Sequence, residues 1–370
     1  MKVSVITRHA VTNYGSLLQA MATQLVIEKI GYESEIVDYI RDDESYLKHE
    51  ITLLKRKRNW YNNPIKRWIY LMLRQPESIL AGRRFEKERT QLLHMTKRYS
   101  SVNQLKNDPP TGSVYMTGSD QVWGPMEDGN YDSTYCLSFA SENIRKVAYA
   151  SSFGHAELSG EKKDFFRKWL SRYYQIAVRE DSALEILKEL HIVAQQVLDP
   201  TLLLTKDEWN EYVSEIFIDK YVLVYQIHND KKLGQYAEQV AKAKGLPLIR
   251  VSTAFHQITR PGKLMWCPSI PQFLAFVKNA DCMITDSFHG TAFAINFNVP
   301  FVEILPNNNT GTRNTSILNL TGLSDRILKN VNDIELAMQE IDFTKVNRIL
   351  HVEREKSIEI LKNMIEDQTK

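Results

Sequence analysis

Along this chain, short unbroken apolar runs alternate with longer stretches at helical spacing, a rhythm that predicts strands and helices in turn. Positions 2–7 read as a β-branched strand, 16–30 as a helix stopped by Gly31, and 34–38 as extended again, a βαβ unit that implies a parallel sheet with right-handed crossovers. The rhythm breaks over 41–100, which is expected to be helical in pieces with Pro64 and Pro76 as breaks. Strands follow at 113–117, 146–150 and 175–178, with a short last element at 197–198. A second series then runs strand 221–227, helix 233–244 ended by Gly245, strand 246–251, helix 270–278, strand 282–285 and strand 301–305. The stretch 346–365 predicts a charged amphipathic helix that either crosses back onto the first domain or caps the second. The expected fold class is α/β, in two domains: 1–210 with a helical insertion at 41–100, 211–345, and a C-terminal helix at 346–370. The linker is placed within 205–220.

Composition narrows the class without naming it. A chain of 370 residues with 43% hydrophobic and 25% charged content suffices for two domains, each with its own core. The net charge of +2 is unevenly spread, because 48–98 carry fourteen Lys or Arg against four Glu, a local balance of +10. Cys136, Cys267 and Cys282 are odd in number and far apart, so neither a disulfide framework nor a zinc site is indicated, and a cytoplasmic location is expected. The apolar run at the amino terminus is broken by Arg8 and His9, too early for a signal peptide, and the run 68–73 is far shorter than the ~20 residues a bilayer requires.

Candidate chemistry gathers where apolar runs end in polar groups, which is where open α/β sheets bind ligands. The run 282–285 stops at Asp286-Ser287-Phe288-His289, and Gly290-Thr291 open a helix whose free N–H groups attract anions. His289 is either a catalytic imidazole or a residue closing a strand-to-helix corner. Similar endings follow 113–117 (Gly118-Ser119-Asp120-Gln121), 146–150 (Ser151-Ser152-Phe153-Gly154) and 175–178 (Arg179-Glu180-Asp181-Ser182). No Gly-x-Gly-x-x-Gly follows the first strand, and there is neither a Walker Gly-Lys-Ser/Thr nor an Asp-x-Asp, which disfavours ordinary NAD, P-loop and metal-dependent glycosyl-transfer chemistry.

As an ordered set, Asn13-Tyr14-Gly15-Ser16-Leu17-Leu18-Gln19-Ala20, Thr117-Gly118-Ser119-Asp120-Gln121-Val122-Trp123, Ala148-Tyr149-Ala150-Ser151-Ser152-Phe153-Gly154, Val178-Arg179-Glu180-Asp181-Ser182, Leu198-Asp199-Pro200-Thr201 and Thr285-Asp286-Ser287-Phe288-His289-Gly290-Thr291 resemble the polysaccharide pyruvyl transferases over about residues 1–326. The resemblance implies a GT-B-like pair of Rossmann-like domains facing a cleft, phosphoenolpyruvate as donor substrate rather than a cofactor, no metal, and transfer of pyruvate as a ketal onto two hydroxyls of a sugar with release of phosphate. That chemistry needs a proton donor, a base and anion contacts.

His289 is the candidate acid, because imidazole near its ordinary pKa of about 6.5 gives up a proton at neutral pH. Some relatives carry Arg before this His, whereas Phe288 stands here and removes one phosphate contact. Arg179 is then the leading anion clamp, with a salt bridge to Glu180 or Asp181 as its alternative. Ser287, Gly290 and Thr291 are expected to line the same anion site, with Ser152 beside it. Arg313 is a further phosphate candidate or an exposed loop arginine. Asp120 is the candidate base or a helix cap, Gln121 a hydrogen-bond partner for sugar or nucleotide, and Asn13, Tyr14 and Gly15 an acceptor contact or a tight turn.

The basic insertion, with Lys55-Arg56-Lys57-Arg58-Asn59-Trp60-Tyr61 and Lys66-Arg67-Trp68-Ile69-Tyr70, is either a solvated helix face or, over 55–74, a peripheral contact with the inner face of the membrane that presents a lipid-linked sugar acceptor. Without a reading motif, nucleic acid is not expected as a partner. Two competing functions stay open: a metal-independent GT-B glycosyltransferase using a nucleotide sugar, and a non-catalytic glycan-binding protein.

Overall fold

Two all-parallel sheets organise the chain. The structure, a computed structural model, describes residues 1–126, 128–216, 218–306 and 311–366. It divides into Met1–Pro200 with Ser357–Lys370, and Thr201–Lys356.

In the first unit the strands are β1 (Lys2–Ile6), β2 (Glu33–Ile36), β3 (Val114–Thr117), β4 (Arg145–Ser151), β5 (Gln175–Val178) and β6 (Ala194–Gln196), in the order β2-β1-β3-β4-β5-β6. Val3, Val5 and Ile6 are fully buried, as expected of parallel strands covered on both faces. The helix Tyr14–Lys29 is buried on nearly every side, and Phe85 of the insertion packs on Tyr14 with ring centroids 5.0 Å apart. Of its polar residues, Ser16 bonds to Asp120, Gln19 to Thr7, and Gln24 to the backbone of Leu92 and His94 in the insertion. The order reverses between β1 and β3, and the loops after these two strands hold Asn13 and Asp120.

The second unit contains β7 (Val222–Tyr225), β8 (Leu248–Ser252), β9 (Lys263–Trp266), β10 (Cys282–Thr285) and β11 (Phe301–Glu303), in the order β11-β10-β7-β8-β9. Here the switch point lies between β7 and β10, so the Asp286–Thr291 turn opens where a doubly wound sheet receives its ligand. Gly245 ends the helix Lys231–Lys244 with φ +65, a left-handed cap that suits glycine.

Several elements differ from the sequence expectation. Pro76 does not break the insertion: the helix Pro64–Leu92 runs through it. The carbonyl that the proline leaves without its helical donor belongs to Met72, a residue 57% exposed. The edge strand β9 was not expected, since Lys-Leu-Met-Trp is half exposed and carries no strong apolar run. The units part at Pro200, ahead of 205–220, where the helix Lys206–Asn210 has a capping box and buried Trp209 donates to the Thr201 carbonyl at 2.9 Å. The C-terminal helix Phe343–Ile365 ends with residues that group with the first unit, where the Arg145 guanidinium donates to the carbonyls of Met364 and Glu366, both at 2.8 Å.

Candidate active site

In the first unit the polar strand ends meet around one guanidinium. Arg179 is buried at the end of β5 and its Nη1 donates to Asp199 Oδ2 at 2.7 Å and to Ser119 Oγ at 3.1 Å. Nη2 lies 3.5 Å from Asp120 Oδ1 and Nε 3.5 Å from Glu180 Oε2. Burial pulls this guanidinium down, but Asp199, then Asp120 and Glu180, outweigh it and hold the pKa above its ordinary value. A cation neutralised by three carboxylates has little charge left for a substrate anion. Of the two readings from sequence, the salt bridge to Glu180 is present, and Arg179 also holds Asp120 and Asp199.

Asp120 Oδ2 accepts the Ser16 hydroxyl at 2.7 Å, and Oδ1 accepts the Gln121 amide at 2.9 Å. Its backbone is left-handed, with φ +73, as is that of Ala150 (φ +54) one strand over. Strain of this kind collects where a site needs a side chain re-aimed. Asn13 caps the helix Tyr14–Lys29 by accepting from Gly15 N at 2.8 Å, which leaves Tyr14 and Gly15 as buried first-turn residues. Ser152 is fully buried and accepts the Gly154 amide at 3.0 Å, while Gln121 is half-buried against Gly154. A separate cavity of about 830 Å³, lined in part by Tyr39, Arg41, Arg58 and Asp132, includes none of the residues singled out from the motifs.

In the second unit the turn after β10 is built from its own hydrogen bonds. Ser287 caps the helix Phe288–Phe297 by accepting from Gly290 N at 3.2 Å, and its own amide donates to Thr285 Oγ1 at 3.1 Å. Gly290 tolerates no side chain, because a Cβ there would sit 2.5 Å from Thr285 Oγ1. The Asp286 carboxylate accepts the amides of Ile227 and His228 at 2.7 and 2.9 Å, and stands 3.3 Å from His228 Nδ1. This clamps the loops of the two switch-point strands together. A cavity of about 290 Å³ opens beside them, lined by His228, Asn229, Asp230 and Asp286 among others. His289 stands in the first helical turn, 6% exposed, with the Phe288 ring edge-on at 5.1 Å. Arg313 lies half-buried in the first turn of the helix Thr312–Thr321.

Sequence reading missed Glu303 at the end of β11. Its carboxyl is fully buried, accepts Asn314 Nδ2 at 2.6 Å and touches Thr291 Oγ1; burial raises its pKa to about 8. The Thr291 hydroxyl is the donor in that contact and also lies 3.1 Å from the Ser287 carbonyl. This buried side chain thus braces the helix that carries His289. The visible signal was a carboxylate ending an apolar strand, Phe301-Val302-Glu303.

The native carboxyl holds its proton to about pH 8, whereas an unfolded glutamate releases it near its ordinary 4.5, so stability should fall as pH rises through that window and level off above it. Each pH unit inside the window costs about 1.4 kcal/mol from this group. Glu303→Gln keeps both hydrogen bonds without a titrating proton. Its urea midpoint should lose less than the native protein's between pH 5 and pH 8; equal losses would discard the raised pKa.

The two parallel sheets with their switch-point loops define a two-domain α/β protein of the GT-B fold. Solved structures of that fold share it: S. aureus MnaA with UDP (11% identity, 98% of this chain and 95% of that one, TM-score 0.53) and Arabidopsis thaliana UGT89C1 with UDP-L-rhamnose (11% identity, 99% of each, TM-score 0.52). Residues 13–309 match the model of the polysaccharide pyruvyl transferase family, and the chain belongs to that family, a transferase acting on polysaccharide. No curated protein matches the chain by sequence. Among the described residues, no group of three His, Cys, Asp or Glu side chains is placed to hold a metal ion.

Proposed function

We propose that this protein transfers pyruvate from phosphoenolpyruvate to two hydroxyls of a polysaccharide precursor sugar, as a ketal, with His289 as the acid. The observation that carries the reading is the Asp286–Thr291 turn at the β7/β10 switch point, where an imidazole stands in the first turn of a helix. The helix dipole favours an anion there. His289 gives its proton to the methylene carbon of the enol phosphate, which becomes the methyl group while C2 becomes cation-like. One sugar oxygen bonds to C2 and loses its proton to a base. Phosphate then leaves C2, the second sugar oxygen bonds in its place, and its proton departs as well. Of the two hydroxyl protons, one restores the imidazolium and the other leaves with phosphate, so charge and atoms balance. An imidazole with so little exposure works largely out of water, where a positioned proton is transferred efficiently.

Asp120 is proposed as the base, its carboxylate held by Ser16, Gln121 and Arg179. The acceptor is proposed to be carried on a lipid. Incubating the protein with phosphoenolpyruvate and a lipid-linked oligosaccharide should release phosphate and yield a ketal methyl signal by NMR. Phosphate release without that methyl signal, or turnover only with a nucleotide sugar, rules the reading out. Asp120→Asn should lower kcat by about tenfold to a thousandfold with little change in KM for phosphoenolpyruvate.

A further inference from the structure

The first half of the helix Pro64–Leu92, over 65–80, wears its two faces the wrong way round for a helix bathed in water. Its polar residues look inward: Tyr70 donates to Glu50 at 3.0 Å, Gln75 to the carbonyls of Tyr46 and Leu47 at 3.2 Å, and Ser78 to the Tyr46 carbonyl at 3.0 Å. Its apolar residues look outward, with Ile65 69%, Trp68 64%, Ile69 41%, Met72 57%, Leu73 69% and Leu80 55% exposed. These fall at i, i+3, i+4, i+7, i+8 and i+15, one continuous stripe about 22 Å long at 1.5 Å per residue. Ordinary surface helices bury the apolar stripe instead.

Charge says what covers the stripe. Residues 55–74 hold seven Lys or Arg and no Asp or Glu. Several cations lie over aromatic rings of the same region: Lys66 over Trp60 at 5.9 Å, Lys57 over Tyr70 at 5.5 Å and Arg67 over Tyr61 at 5.6 Å. A protein partner of ordinary composition offers no uniform negative layer above an apolar one, whereas an anionic bilayer offers both at the same depth. Among the described residues no helix is long and apolar enough to cross a membrane, so the segment lies on the surface.

We infer that this helix docks the protein on an anionic lipid bilayer, with the stripe from Ile65 to Leu80 in the headgroup and acyl boundary and the 55–67 cations among the phosphates. The inference is independent of the reaction proposed above, since it concerns only this surface. Lys55, Arg56 and Arg58 also line the cavity of about 830 Å³, which places that cavity's rim at the headgroup level.

The test is co-sedimentation of the full chain with vesicles of phosphatidylcholine alone or with about a third phosphatidylglycerol. Binding should be at least tenfold tighter to the anionic vesicles and should weaken at high salt. Trp68→Ser with Leu73→Ser should cut it at least tenfold, and Lys55→Glu with Lys57→Glu should cut it comparably. Both positions of the first pair are exposed, so the fold is not at stake, and circular dichroism checks this. Equal binding to both vesicle types, unchanged binding by the variants, or a solution dimer that the Trp68 and Leu73 changes disperse overturns the inference. None of these readouts needs substrate, so the outcome stands apart from whether phosphoenolpyruvate is the donor.

Discussion

Arg179→Met is expected to destabilise the protein by about 3–5 kcal/mol, the usual cost of stranding buried charges by removing their partner. The side chain has no solvent exposure, and neither has its main partner, Asp199. Without the guanidinium, Asp199, Asp120 and Glu180 face one another in a region largely closed to water. Their mutual repulsion then raises their pKa values in the folded variant. Protons relieve it, so the variant's deficit should be smallest at acidic pH and grow as pH rises. Arg179→Lys keeps the charge but loses the forked geometry, and should fall between the two. Urea unfolding at pH 5 and pH 8 measures both effects. If Arg179→Met unfolds within about 1 kcal/mol of the native protein at pH 8, the guanidinium is not the anchor described.

The second large effect is on chemistry rather than folding. His289→Gln should lower kcat by about a hundredfold to ten-thousandfold, because glutamine has the reach to hydrogen-bond but no proton to give. The position lies in the first turn of the helix Phe288–Phe297, where glutamine is a good helix former, so the unfolding midpoint should hardly move. Phosphoenolpyruvate affinity by calorimetry should stay within a few-fold, since the helix N-terminus and its Ser287 cap remain. The native enzyme should lose rate on the alkaline side as the imidazole deprotonates, and the variant's residual rate should not follow that limb. Retention of more than a tenth of the native kcat would remove His289 from the acid role.

Much of the architecture was legible in residue order. Strand Cys282–Thr285 and helix Ile270–Lys278 stand where the apolar pattern placed them, because a buried run and a Ser269 cap followed by Pro271 are local signals. The edge strand β9 was not legible, since its Lys-Leu-Met-Trp pattern is weak and its register comes from pairing with β8. Pro76 misled because the rule against proline in helices assumes a carbonyl with nowhere else to bond.

The candidate site divides the same way. Asp286 at a strand end and Gly290-Thr291 at a helix start follow from neighbours in sequence, and the sequence by itself determined them along with the βαβ rhythm. The tertiary structure alone decided that Arg179 belongs to Asp199 and Asp120, residues twenty and about sixty positions away in the chain, that Glu303 is buried under Thr291 and Asn314 with its pKa raised, and that the first half of the helix Pro64–Leu92 turns an apolar stripe outward. The physical reason is the range of the forces. Helical and extended periods, caps and turns are settled within a few residues, whereas the partner of a buried charge, its protonation and the face a helix shows to water depend on which distant strands and helices the topology brings alongside.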